Sequence, residues 1–429
     1  MESTEKATAA PLLRRRREGG VATWAQTLGN IIVSIVGTGV LGLPYAFRIA
    51  GWLAGLLGVA TAGVCTYFCM LLLVQCRDRL EEGNTDDEQT SDDMHIHSYG
   101  DLGGKAFGRI GRFLTELLVL ISQAGGAIAY LVFIGQNLSS LFPKTHHSSI
   151  PPSVFIFLIL LPVQVPLSFI RSLSSLSPVS AFADACNVLA MAIVINKDFQ
   201  LSERFSWGRN VFNGVWGLPF AGGVAVFCFE GFSMTLALEA SMANRRKFPW
   251  VLLFAFIAIT FIYVCFGIFG YLAYGDETMD IITLNLPNDW SAIAVKVGLC
   301  IALAFTFPIM MHPIYDIIEM KLASVEWFQK LCNNSRSEQV GLQGARILTL
   351  ILVAIVASVV PGFGDFISLV GSTVCALLSF VLPATFHLVL MGAKLKFWQR
   401  AADCFIFLTG LAFAGYGTFD ALSGHIFGS

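Results

Sequence analysis

The sequence predicts an all-α, multi-pass membrane protein: eleven transmembrane helices arranged as a five-plus-five inverted repeat with one extra span, with helices one and six broken. Three observations carry this. Of the 429 residues, 55% are hydrophobic and only 13% charged, with a mean hydropathy of +0.70, which excludes an ordinary soluble enzyme and a disordered chain. Apolar runs long enough to cross a bilayer, about 20 residues each, recur eleven times. Two of those runs are interrupted, and they stand five spans apart. Five is odd, so the second set runs in the opposite sense. Matching interruptions in inverted halves point to a binding site at the midplane.

Residues 1–23 are polar and hold four consecutive arginines, Arg14 to Arg17, with no apolar core before Trp24. They predict a cytosolic tail rather than a signal peptide. A transmembrane domain of 24–429 follows. Span one, 24–47, contains NIIVSIVGTGVLGLPYAF, in which Gly37-Thr38-Gly39, Gly42 and Pro44 break a helix from within. Such a break is tolerated at membrane depth only against protein or a wet cavity. Span two covers 51–76. The acidic stretch after it predicts a cytosolic loop over 78–111. Span three, 112–141, places Gln123, Ala127, Tyr130, Ile134 and Asn137 on one face. Span four covers 150–170, and span five, 177–196, aligns Ser177, Ser180, Asp184 and Asn187.

Span six, 211–242, holds Gly222-Gly223 and then Glu230-Gly231 near its middle. A carboxyl at that depth costs at least about 2.5–3.5 kcal/mol to insert, which makes Glu230 a functional candidate. Spans seven to eleven cover 249–274, 290–318, 345–361, 365–391 and 400–425. Span ten aligns Ser368, Ser372, Cys375 and Ser379. The two repeats are thus 24–196 and 211–391, with 400–425 as the extra helix. For each polar stripe the plain alternative is helix packing through small and polar residues.

Charge sets the orientation. With the N-terminus in the cytosol, the cytosolic ends collect 21 of the 27 Lys and Arg, the exceptions being Arg48, Lys144, Lys197, Arg204, Arg209 and Lys296. The net charge of −2 offers no electrostatic case for nucleic acid. The ten cysteines lie mostly in apolar runs without metal-ligand spacing, so no metal or cofactor is expected.

The residues also carry a resemblance. The run from Gly37 to Phe47, Phe229-Glu230-Gly231 with Leu238-Glu239 and Met242, the stretch from Tyr130 to Asn137, and Gly371-Ser372 leading to Leu382-Pro383 are similar to the amino acid/auxin permease family. The likeness covers nearly the whole chain and is greatest to its plant vacuolar and aromatic-and-neutral amino acid transporters. It implies an eleven-span, LeuT-like transporter, usually proton-coupled, with the vacuolar membrane as first location and the plasma membrane second. Ala237 departs from the proline that related members often carry there, which bears on the local shape of the inner half of span six.

A zwitterionic substrate divides its needs between the two breaks. Its carboxylate suits the N–H groups of Gly37, Thr38 and Gly39, with the Thr38 hydroxyl as an added donor. Its ammonium suits carbonyls freed around Phe227, Cys228 and Phe229. Tyr130, Phe227, Phe229 and Phe232 offer an apolar pocket, which suits neutral or aromatic amino acids. For coupling, Thr306 is the thin sodium option on span eight. Glu230, and secondly Asp184, could load and release a proton as their exposure changes. Glu239 is expected to pair with Arg245 and Arg246 as an ordinary helix-end ion pair, and His387 to pack near the cytosolic end of span ten. Two rival readings are an intramembrane acyltransferase using His312 and Asp316, and an amino acid sensor that does not transport.

Overall fold

The computed structural model describes residues 20, 22–83, 98–142, 150–169, 173–200, 209–287, 289–326, 328, 335–392 and 395–427, with side chains set aside at 82–83, 173–184, 198–199, 335–336 and 421–427. Helices make up the architecture: α1 (Trp24–Ile35), α2 (Leu43–Ala50), α3 (Trp52–Gly83), α4 (Tyr99–Leu141), α5 (Pro152–Ser168), α6 (Leu173–Gln200), α7 (Leu218–Cys228), α8 (Phe232–Ser241), α9 (Phe248–Tyr274), α10 (Trp290–Ala323), α11 (Ser335–Val359), α12 (Phe363–Met391) and α13 (Phe397–Phe427). Among the described residues, eight helices are long and apolar enough to cross a membrane. A bent pair, Trp24–Ile35 with Thr38–Ala50, passes the same test when its two halves are taken together, and two shorter apolar helices are Pro152–Ser168 and Ala185–Lys197.

Capping and glycine geometry place the ends. Thr23 closes the start of α1 with a reciprocal capping box to Gln26. Between α2 and α3 the chain reverses at Gly51, whose φ of 95° favours glycine and whose Cβ position lies 2.6 Å from the Val211 oxygen. Ser98 and Asp101 cap α4, which kinks at Phe107 and Gly108, the latter with φ of 66°. The expected loop over 78–111 is therefore helical at both ends, because α3 continues to Gly83 and residues 99–106 form a short helix before the kink. Tyr99 fastens that short helix, donating its hydroxyl to the Leu378 oxygen at 2.8 Å and stacking on Phe232.

The core lies where α7 meets α12. Cβ positions at Gly223 and Gly371 fall 2.4 Å from the Ser368 oxygen and 1.9 Å from the Gly223 oxygen, so the two backbones touch. Only glycine permits that approach. The α12 helix widens into π turns at Gly371–Cys375 and Leu377–Val381 ahead of Pro383, whose ring displaces the carbonyl a turn before it. Ser368 donates to the Phe220 oxygen at 3.1 Å, so part of the polar stripe of span ten serves packing.

At one end of the bundle, Asp289 caps α10 through the Ala292 N–H at 2.8 Å and accepts from Lys197 Nζ at 2.6 Å. The Lys197 ammonium, with the Ala292 N–H and Ser291 hydroxyl, holds the Asp289 carboxyl below its ordinary range, to about 2. At the other end, the isolated parallel bridge between Ala22 and Met242 ties the start of the chain to the end of α8, with the Ala22 N–H donating to the Ser241 oxygen and the Ala243 N–H to the Ala22 oxygen, both at 3.0 Å.

Candidate functional site

Two interrupted helices face each other at the centre of the bundle. In span one, α1 ends as Val36 and Gly37 turn extended, a 3-10 turn covers Thr38–Gly42, and α2 resumes with Pro44 in its first turn. The two halves bend by 49°. In span six the helix lapses over Phe229, Glu230 and Gly231 between α7 and α8, and the run Val215–Ser241 bends there by no more than 40°. The breaks approach closely: a Cβ on Gly39 would lie 3.0 Å from Cys228 Sγ and from the Phe227 ring.

Helix ends give the site its polarity. The carbonyl ends of α1 and α7 converge, and the Tyr263 hydroxyl from α9 lies 3.2 Å from the Ile35 oxygen and 3.0 Å from the Cys228 oxygen, donating between them. Each carbonyl keeps a second lone pair. Gly37, Thr38 and Gly39, at the start of the Thr38–Gly42 turn, line the same cavity as Ile35 and Cys228, and the start of a helical turn favours negative charge.

Between the breaks is a cavity of about 220 Å³, the room of roughly seven waters at about 30 Å³ each. Gly37, Thr38, Gly39, Tyr130, Phe227, Cys228 and Glu230 line it, so most of the residues expected from the sequence come together. Glu230 is the one charged residue among the described residues of the lining, and its carboxylate has no hydrogen-bond or ion-pair partner among them. Gln123 joins the wall by donating to Ser233 Oγ at 3.5 Å, and Met310 and Pro313 close the side formed by α10.

Other expectations require correction. The Phe229 ring turns away from the cavity, is fully buried, and stacks on Phe256 at 5.8 Å and packs on Tyr263 at 5.1 Å. Phe232 is likewise buried, against Tyr99. Once the helix is interrupted the angular phase of the following residues resets, so these rings point to α9 and α4. Thr306 is absent from the lining; its hydroxyl donates back to the Ala302 oxygen at 2.9 Å, a local helix bond. The Asp184 side chain lies outside the described residues. Glu239 pairs with Arg77 of α3, both side chains buried, rather than with Arg245, which lies 3.7 Å from Glu81.

Tyr263 was not singled out from the sequence. It sits in a long apolar run with Thr260, Tyr271 and Tyr274, and nothing in the sequence set its hydroxyl apart from theirs. Asp403 also escaped notice; it meets His387 at 2.6 Å with both side chains buried, so His387 is a paired interior residue. His312 and Asp316 form a pair one helical turn apart at 2.9 Å, and Asp316 is half exposed, which makes them a local surface contact of α10.

Comparison with known proteins agrees with this architecture. The family model for the transmembrane amino acid transporter protein matches residues 20–423. Amino acid transporter ANT1 of Arabidopsis thaliana is 55% identical over 420 residues, covering 95% of this chain and 94% of that one. Vacuolar amino acid transporter 3 of Schizosaccharomyces pombe is 28% identical, over 98% of this chain and 62% of that one. Among solved structures, that of MhsT in complex with L-phenylalanine aligns with 94% of this chain and 100% of its own at a TM-score of 0.53 and 13% identity, a likeness of fold.

Proposed function

Because this chain belongs to the amino acid/auxin permease family, a family of transporters and not of enzymes, we propose that it is a secondary active transporter of neutral and aromatic amino acids, driven by protons, in the vacuolar membrane. One observation carries the reading: the cavity between the two breaks is lined by Gly37 to Gly39 where span one resumes, by Ile35 and Cys228 where two helices end, and by a single charge among the described residues, that of Glu230. A zwitterion fits with its carboxylate on the N–H groups of Gly37 to Gly39 and its ammonium toward the Ile35 and Cys228 carbonyls. Tyr130, Phe227 and Met310 then receive the side chain. The described lining holds no cation for an acidic side chain, which favours neutral substrates.

Glu230 carries the coupling. A carboxyl without a cation holds its proton when dry and releases it when wet. Alternating exposure would therefore load it on one side and unload it on the other. The sodium alternative loses support with Thr306 outside the cavity, and Asp184 is the second proton candidate. Taking the two shorter apolar helices as spans beside the eight long helices and the bent pair supports the proposed eleven spans, with repeats of 24–196 and 211–391 and an extra helix at 400–425. The N-terminal tail, 1–23, is placed in the cytosol.

The test is uptake of radiolabelled L-phenylalanine into proteoliposomes with and without a pH gradient. Wild type accumulates label only with the gradient. Glu230→Gln loses accumulation and retains exchange of label across the bilayer. A Glu230→Gln protein that concentrates phenylalanine as wild type does removes Glu230 from the coupling mechanism.

A further inference from the structure

Lys296 has no part in the central site. It stands early in α10, 2% exposed, with Nζ donating to Ser140 Oγ at 3.2 Å and with no carboxylate in ion-pair distance among the described residues. An ammonium has three hydrogen-bond donors, and this hydroxyl takes one. A buried cation with donors to spare calls for an anion. Lys296 lines a second and larger cavity, about 680 Å³, between the end of α4 and the segment 279–287.

The same cavity offers an acceptor. Gln136, one turn before Ser140 on α4, presents a buried Oε1 with no hydrogen-bond partner among the described residues. Residues four apart on a helix are neighbours, about 5–6 Å between Cβ atoms. Asp280 also lines the space, but its Oδ2 accepts from the Phe363 N–H at 2.9 Å and the Gly364 N–H at 3.5 Å, and its Oδ1 from the Ile281 N–H at 3.1 Å. Its carboxylate is committed to the start of α12. Phe142, Leu284, Leu286 and Ile293 make the remaining wall apolar.

A cationic donor and a neutral acceptor lining one cavity, beside an apolar wall, match the head and side chain of a neutral α-amino acid. We propose that this vestibule is a second amino acid binding site, in which Lys296 takes the carboxylate, Gln136 takes the ammonium and the apolar wall around Phe142 and Leu286 takes the side chain. The proposal rests on the reading of neutral amino acids as substrates. Gln136 lies six residues beyond Tyr130 on α4, about 9 Å along a helix. A molecule held here stands on the approach to the central cavity, at the end of the bundle away from Arg77 and Glu239.

Saturation binding of radiolabelled L-phenylalanine to the full chain in lipid nanodiscs tests this. Wild type binds two molecules per chain. Lys296→Met binds one, and Gly39→Val, which crowds Cys228 and Phe227 where they line the central cavity, also binds one. In the Gly39→Val background, Gln136→Leu lowers the preference for L-phenylalanine over 3-phenylpropionate, which lacks the ammonium, by about tenfold or more. Because Gln136→Leu removes an unpartnered buried acceptor, it keeps the fold even where Lys296→Met does not. A single wild-type site that Gly39→Val abolishes overturns the vestibule and leaves the central site standing. No phenylalanine binding to wild type overturns both. An unchanged preference in Gln136→Leu overturns the assigned pose.

Discussion

Span six carries two glutamates nine residues apart, and they live under opposite conditions. Glu239, at the end of α8, is 1% exposed and bonded to Arg77 of α3, which also holds Asp78 at 2.9 Å. Glu230, at the break, meets a cavity and no cation among the described residues. A buried pair with tight geometry fixes structure, and removing one member strands the other. A carboxyl without a partner is free to exchange its proton. On the proposed reading, the partner, and not the residue type or its depth, separates a lock from a carrier.

The largest expected effect tests the lock. Glu239→Ala leaves Arg77 buried beside Asp78 and Glu81 alone and should cost about 3 kcal/mol of stability, at the low end for a broken buried pair because those carboxylates remain. Thermal unfolding in nanodiscs measures it, and replacing Arg77 and Glu239 together by Met and Leu should restore most of the loss. If Glu239→Ala melts as wild type does, the pair is no lock.

Tyr263→Phe comes next. It withdraws the one donor between the Ile35 and Cys228 carbonyls and should cost about 1–3 kcal/mol, together with slower phenylalanine uptake. Wild-type melting and uptake would mean that the two helix ends need no shared donor. Glu230→Gln, by contrast, should melt within about 0.5 kcal/mol of wild type while losing gradient-driven uptake, since it removes no partnered charge. A large stability loss there would make Glu230 a structural residue and erase the contrast with Glu239.

The smallest effect concerns a pair outside the membrane. With Lys197 donating to it, the Asp289 carboxyl is held at about 2, below the ordinary value of about 3.9. A lowered carboxyl favours the folded state above its unfolded value, and that contribution fades as pH falls from about 4 toward 2. The melting difference between wild type and Asp289→Asn should therefore be constant from pH 7 to 5 and shrink only below about pH 4. A difference that vanishes near pH 6 would mean the pair is not formed.

Much of the site was legible in the chain itself. Glycine and proline inside an apolar run can only mean a break or a close contact, and Gly37, Gly39 and Pro44 mark the break in span one while Gly39 also marks the contact. Glu230 was legible because charge at that depth is rare. Rotation about a broken axis was not: Phe229 falls within the same few residues as Phe227 and Cys228 yet faces the opposite way. Partners distant in the chain were not legible either. Arg245 and Arg246 stand nearest to Glu239 in sequence, whereas Arg77 reaches it from 162 residues away. Lys296 was visible as an exception to the cytosolic bias of the cations, but periodicity could not show that Gln136 and Ser140 share its cavity.

The bridge between Ala22 and Met242 has a mechanical consequence. Gly20 has no space for a side chain, since a Cβ there would meet the Ser241 backbone at 2.0 Å. Ala22 is therefore laced, main chain to main chain, onto the end of the second interrupted rod, and any displacement of that end carries the approach to α1 with it or breaks both hydrogen bonds.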